Sequence, residues 1–183
     1  AMPFSVMIAV MNRAGVTSNA GLAARAPSGA TRTPPTQVTS SSPRIARLDF
    51  DELIPEKGYI GLVAYARTKL MNVIFTYELA RRLAGSGVTA NCLHPGLVGT
   101  RLGQNNNGLY RPVFSLYQRV ALSPEKGAET PVFLASSPEA EGVSGRYFVK
   151  KTAVSSSRAS NDPAAAQRLW DLSLELSGLE QRL

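Results

Sequence analysis

Apolar and polar positions alternate along this chain between helical and strand-like spacing. Across residues 59–84, Leu70, Val73, Ile74, Tyr77 and Leu83 recur at intervals that place them on one side of a helix. The run stops at Gly85-Ser86-Gly87, where glycine can take the left-handed backbone that ends helices. Residues 88–93 follow as a short, mostly apolar stretch, which predicts a buried strand. Ser123-Pro124-Glu125-Lys126 combines a good N-cap with proline at the first helical position and predicts a helix running to about Ala135. Residues 146–149 read as a further strand and residues 150–161, with Ser155-Ser156-Ser157, as an exposed loop. Residues 163–176 read as a closing helix with Leu169 and Trp170 on its core-facing stripe. Residues 37–40 would end an earlier strand, and a short helix is expected over 113–120 within a variable segment, 99–123. Strands alternating with helices in this way predict an α/β fold built on a parallel sheet.

The front of the chain is different. Ser5-Val6-Met7-Ile8-Ala9-Val10-Met11 is a short apolar run that ends in the turn-like Asn12-Arg13-Ala14-Gly15. Residues 16–36 are rich in Ala, Ser, Thr and Arg and carry Pro27, Pro34 and Pro35, with no helical stripe. Proline inside a helix costs about 3 kcal/mol, so this stretch reads as a loop or linker. The division expected is an abbreviated or irregular segment at 1–37 and one α/β domain at 38–183.

Composition narrows the class without naming a function. The 183 residues suffice for one domain with a real core. No run of 18 apolar residues appears, so no transmembrane segment is expected, and the apolar start lacks the basic region of a signal peptide. The single cysteine, Cys92, excludes an internal disulfide and fits a reducing, cytoplasmic setting; its apolar surroundings predict a buried, inert thiol. The 20 Lys and Arg against 13 Asp and Glu give a net charge of +7, yet the basic residues are scattered. With no basic block or interleaved aromatic stripe, nucleic-acid binding is not expected. No metal-ligand constellation is present in the sequence.

Candidate chemistry lies at Tyr65-Ala66-Arg67-Thr68-Lys69. Residues four apart on a helix share one face. A phenol, with a reference pKa of about 10, exchanges protons poorly near neutrality, but an ammonium group beside it favours the phenolate. Such a pair can move a proton to or from a substrate oxygen while a cofactor moves a hydride. Further along stands Cys92-Leu93-His94-Pro95-Gly96-Leu97-Val98-Gly99-Thr100.

These motifs, in this order and spacing, resemble the short-chain dehydrogenase/reductase family, and within it the retinol-dehydrogenase-like branch. The run from Ala64 to Leu83 is similar to that family's active-site helix, and the run from Gly87 to Gly96 to its next strand and cofactor-facing turn. Leu134-Ala135-Ser136-Ser137-Pro138-Glu139, Gly142-Val143-Ser144-Gly145-Arg146-Tyr147-Phe148 and Ala166-Gln167-Arg168-Leu169-Trp170 resemble its final elements. Asp49-Phe50-Asp51-Glu52-Leu53 resembles an insertion that the branch carries ahead of its catalytic tyrosine.

The resemblance implies a Rossmann-type, doubly wound sheet, here truncated, and an NAD- or NADP-dependent oxidoreductase acting on a small hydrophobic alcohol/carbonyl pair. It implies Tyr65 as proton donor or acceptor, Lys69 as its electrostatic partner and ribose ligand, and Ser40 as the hydroxyl that holds the substrate oxygen. Ser41 is the neighbouring option, and a plain polar strand exit at residues 40–42 is the alternative to both. Pro95 and Gly96 would turn the chain so that the Val98 backbone faces the nicotinamide, with Thr100 nearby. Asn12 would sit in a turn like that after the family's fourth strand and join the cofactor site; any buried strand followed by a turn is the alternative. His94 precedes the Pro95-Gly96 turn as a histidine does in this branch, which implies packing ahead of general-base work. A homo-oligomer built on the active-site helix is a further implication.

The family's Gly-rich dinucleotide turn has no match: residues 21–29 carry Ala, Arg, Pro and Ser between their glycines. Only 64 residues precede Tyr65, fewer than three βα units and two more strands need, since one βαβ unit takes about 30. The first βα units and the family's catalytic Asn therefore have no candidates. The competing expectation is a truncated, catalytically inactive relative that acts as an interaction protein or has no function.

Overall fold

The computed structural model describes residues 36–40, 46–50, 61–99 and 121–177. Within them β1 (Thr36–Val38) leads into α1 (Gly61–Arg82), then β2 (Asn91–His94), α2 (Pro124–Ser136), β3 (Tyr147–Val149), β4 (Thr152–Val154) and α3 (Pro163–Ser177). Short 3-10 turns stand at Pro138–Ala140 and Arg158–Asn161. The sheet order is β1-β2-β3-β4; β1, β2 and β3 are parallel, and β4 returns antiparallel on β3. Parallel neighbours require crossover connections, here α1 between β1 and β2, and α2 between β2 and β3.

Side-chain alternation along the strands assigns the helices to opposite faces. Cys92 of β2 and Tyr147 of β3 pack with Val73 of α1, whereas Leu93 and Phe148, one residue on in each strand, pack with Leu134 of α2. The result is a doubly wound α/β sheet of Rossmann type. α1 lies between the sheet and α3: Leu70, Ile74 and Phe75 meet Leu169, Trp170 and Leu174 of α3 in the largest apolar cluster. Because α1 is covered on two sides, every residue from Leu70 to Thr76 is buried, and its apolar band is wider than the single stripe that spacing alone predicts.

The helix boundaries hold to within about two residues of expectation, and their ends show why. Gly85 and Gly87 take φ of +79° and +74° after α1, the conformation that L-residues with a Cβ disfavour. Ser123 caps α2, its hydroxyl accepting from the Lys126 amide, with Pro124 at the first position. The strand expected from Val88 begins only at Asn91. Before it, the Ala90 amide donates to the Ser144 hydroxyl and not to a neighbouring strand.

The expected exposed loop at 150–161 is corrected. It contains β4, returned by a two-residue turn at Lys150 and Lys151, and the 3-10 turn at Arg158–Asn161, where Ser160 is buried. All three residues of β4 are exposed, so no apolar alternation marks it, and Lys-Lys is not a hairpin-turn signature. Residues 5–15, nearly all of 16–36 and the short helix at 113–120 lie outside the described residues.

Candidate active site

Parallel strands bring their carboxyl ends to one edge of the sheet, and the predicted site residues that lie among the described ones stand at or beside it. Tyr65 stands in the first half of α1 and is 36% exposed. One turn on, the Lys69 ammonium lies 5.5 Å from the centroid of the Tyr65 ring, within the range of a cation–π contact. Lys69 Nζ also donates, at 3.4 Å, to the Val38 carbonyl at the end of β1. Partial burial pushes the Lys69 ammonium below its ordinary value, because desolvation disfavours the charged form.

The β1 exit is tied to its surroundings by three further bonds. The Thr39 amide donates to the Leu93 carbonyl of β2 at 2.7 Å, and the Thr39 hydroxyl donates to the Lys69 carbonyl at 3.0 Å. The Tyr147 hydroxyl, reaching across from β3, donates to the Ser40 carbonyl at 3.0 Å. Thr39 and Tyr147 are buried, at 3% and 5% exposure. The main chain carrying Ser40 is thus fixed against α1, β2 and β3 together. Thr39 and Tyr147 were not among the residues predicted from sequence. Nothing local marks them, since Tyr147 and Ser40 are 107 positions apart.

His94, Pro95 and Gly96 follow at the carboxyl end of β2. Gly96 takes φ of +90°, which L side chains rarely adopt, so the turn needs glycine for its backbone; a Cβ there would meet only the exposed tip of Leu122, which can turn aside. The ends of the 99–123 segment are held together: the Leu122 amide donates to the Leu97 carbonyl, the Gly99 amide to the Leu122 carbonyl, and Val98 pairs with Leu122 as a parallel bridge. His94 is partly buried, which pushes its imidazole below the ordinary value, and its Nδ1 has no hydrogen-bond partner among the described residues. That suits a neutral, packed ring. Thr100, Asn12 and Ser41 lie outside the described residues.

Cys92 Sγ is buried beside the Arg146 carbonyl, and burial pushes the thiol up to about 12. It is inert, as its apolar surroundings predict. Among the described residues no group of His, Cys, Asp and Glu could hold a metal, and no helix is long and apolar enough to cross a membrane.

The donors present fit the nicotinamide-ribose end of a dinucleotide. Lys69 offers an ammonium to hydroxyl oxygens, and the Pro95–Gly99 turn, rigidly mounted, offers backbone at the same sheet edge. The pyrophosphate end has no corresponding Gly-rich turn in the sequence.

No protein-family model matches the chain. It is 43% identical over 145 residues to human Retinol dehydrogenase 14, covering 78% of this chain and 43% of that protein. Human Retinol dehydrogenase 13 is 39% identical over 140 residues, covering 73% of this chain and 42% of its own. The WW domain-containing oxidoreductase of Danio rerio is 41% identical over 130 residues, covering 70% and 32%. The chain therefore spans less than half the length of these relatives. Among solved structures, an uncharacterized protein from Mycobacterium paratuberculosis superposes with a TM-score of 0.58 at 25% identity, covering 81% of this chain and 51% of that one. With a doubly wound sheet, a Tyr–Lys pair at its carboxyl edge and this identity to retinol dehydrogenases, the chain belongs to the short-chain dehydrogenase/reductase family, on its retinol-dehydrogenase-like branch.

Proposed function

We propose that this chain carries the proton-transfer side of an NAD- or NADP-dependent oxidoreductase that interconverts a hydrophobic alcohol and its carbonyl. The observation that carries the reading is the Lys69 ammonium held 5.5 Å from the Tyr65 ring, against the fixed exit of β1. The chemistry a nicotinamide would supply when bound here is hydride donation or acceptance. Tyr65 donates a proton to the substrate oxygen in reduction and removes one in oxidation. Lys69 places positive charge beside the Tyr65 phenol, which favours the phenolate, and binds a ribose hydroxyl, and the Ser40 hydroxyl orients the substrate oxygen toward Tyr65. The backbone of Val98, presented by the Pro95-Gly96 turn, would face the nicotinamide amide, and the family resemblance assigns Thr100 and Asn12 to the same cofactor site.

One observation favours a second reading, a catalytically inactive relative: the sequence offers no Gly-rich turn to hold the pyrophosphate, which in this fold sits on a helix N-terminus. Tyr65→Phe separates the two. The oxidoreductase reading expects turnover of a retinoid or other apolar alcohol to fall by about a thousandfold, in line with loss of general acid–base catalysis, while NADPH affinity stays within twofold. A chain whose turnover is unaffected by Tyr65→Phe does not use this site.

A further inference from the structure

We infer that Gly127, a residue of α2 and not of the candidate site, is a positioning residue for the nicotinamide-facing turn. The inference rests on the proposed role of residues 95–99. Gly127 is buried one turn into α2, where its amide makes the helix's first bond, to the Ser123 carbonyl at 3.0 Å. A Cβ built on Gly127 would lie 2.5 Å from Val98 Cγ2, 2.9 Å from Cγ1 and 3.3 Å from Cβ. All three are atoms of one side chain. The bare backbone of Gly127 therefore forms the seat in which the isopropyl group of Val98 rests.

The seat closes a compact mount. Val98 pairs with Leu122 through the two bonds that flank the bridge, Leu122 adjoins the N-cap Ser123, and Gly127 lies four residues further along. Backbone on one side and a side-chain seat on the other thus fix Val98 to the start of α2. Valine is branched at Cβ and stiff at χ1, so turning clear of an added methyl group is costly, and with Cβ itself only 3.3 Å away rotation alone does not relieve the contact. Moving the Val98 backbone, the group assigned to the nicotinamide amide, is the relief the inference expects. Gly127 has ordinary helical φ, so its requirement is one of space and not of backbone conformation.

The test is Gly127→Ala in the full chain, with calorimetric titration of two probe pairs: NADH against ADP-ribose, and NADPH against 2′-phospho-ADP-ribose. Each second probe lacks the nicotinamide. The inference expects the nicotinamide-bearing probe to bind about tenfold more weakly, as a core overpacked by one methyl group implies, with its partner changed less than twofold. Gly127→Ala/Val98→Ala, which removes the two shortest contacts and leaves only Val98 Cβ at 3.3 Å, should recover part of that nicotinamide-dependent affinity. If Gly127→Ala does not fold, the double variant carries the test. Folding together with a measurable preference for the nicotinamide probes supports the seat, and folding without one overturns it. Equal weakening of both members of a pair overturns the inference and leaves the proposed function standing. Failure of the unaltered chain to bind either member contradicts both.

Discussion

At the scale of the residue, the site depends on how each group is tied to the frame around it. Tyr65 and Lys69 were legible from sequence because their relation is local: a spacing of four on a helix puts them on one face whatever the helix packs against. The bonds that hold the neighbouring strand exit were not. Thr39 reaches the Lys69 carbonyl across 30 positions and Tyr147 the Ser40 carbonyl across 107, distances over which no periodicity carries information. His94 shows the same limit. Its sequence neighbours predict packing, but only the fold shows a buried Nδ1 without a partner among the described residues.

A residue-scale prediction follows from that burial. Because the folded imidazole has its pKa pushed down by desolvation, the unfolded chain binds more protons between the folded pKa and the unfolded value of about 6.5. Stability is therefore full above about 6.5 and declines as the pH falls through this window. Urea midpoints at pH 7.5 and pH 5.5 should differ less in His94→Phe than in the unaltered chain. An unchanged difference assigns the acid sensitivity elsewhere.

At the scale of the element, α1 is the organising piece, and its C-terminal end is locked to α3 by charge as well as apolar contact. Glu78, 5% exposed, accepts from Arg81 Nε and Nη2 at 2.8 and 2.7 Å and from Arg82 Nε at 2.6 Å. Arg82 also donates to Gln167 and lies 4.3 Å from the centroid of the Trp170 ring, which stacks on Phe75 with centroids 5.3 Å apart. Burial alone would raise the Glu78 carboxyl, but hydrogen bonds from Arg81 and Arg82, with their charges, hold it below the ordinary value. A carboxylate depressed in this way stabilises the fold above its unfolded pKa, and that contribution is lost as the pH falls through the folded one. Glu78→Gln should cost about 1–3 kcal/mol at pH 7 and much less at pH 3, measured by chemical denaturation. A loss independent of pH would mean that the carboxylate charge is not what Glu78 supplies.

The β3–β4 turn is the element where local sequence and fold disagree. Lys150 and Lys151 take φ of +50° and +66°, a conformation that suits Asn-Gly far better than Lys-Lys. The turn is held from outside by the Thr130 hydroxyl, which accepts from the Lys151 amide, and by Glu129, 3.2 Å from Lys151 Nζ. That pair is about half exposed and contributes little. Replacing both lysines, Lys150→Asn/Lys151→Gly, should stabilise the chain by about 1 kcal/mol. A lower thermal midpoint would show that the lysine contacts outweigh the backbone strain. This conflict is why the sequence reads as loop there: its turn residues and its exposed side chains both point away from a hairpin.

At the scale of the whole molecule, the alternation of helical and strand-like stretches was enough to read an α/β fold. The parallel order of β1, β2 and β3 goes with the helical crossovers between them, and the placing of α1 and α2 on opposite faces shows only in single-residue alternation within strands of three or four residues. The fold gathers the ends of those strands, and with them Lys69, Ser40 and the Pro95–Gly99 turn, along one edge. On the proposed function this edge takes the nicotinamide end of a dinucleotide, while the 183 residues carry no Gly-rich turn for the other end.

Titration of the folded chain with NADPH and with NADH, following nicotinamide fluorescence and the thermal midpoint together, tests that most directly. The account predicts saturable binding with a raised midpoint, since a ligand that binds only the folded state stabilises it by mass action. A demonstrably folded chain that shows neither effect at about a hundred times the micromolar range typical of such sites would contradict it.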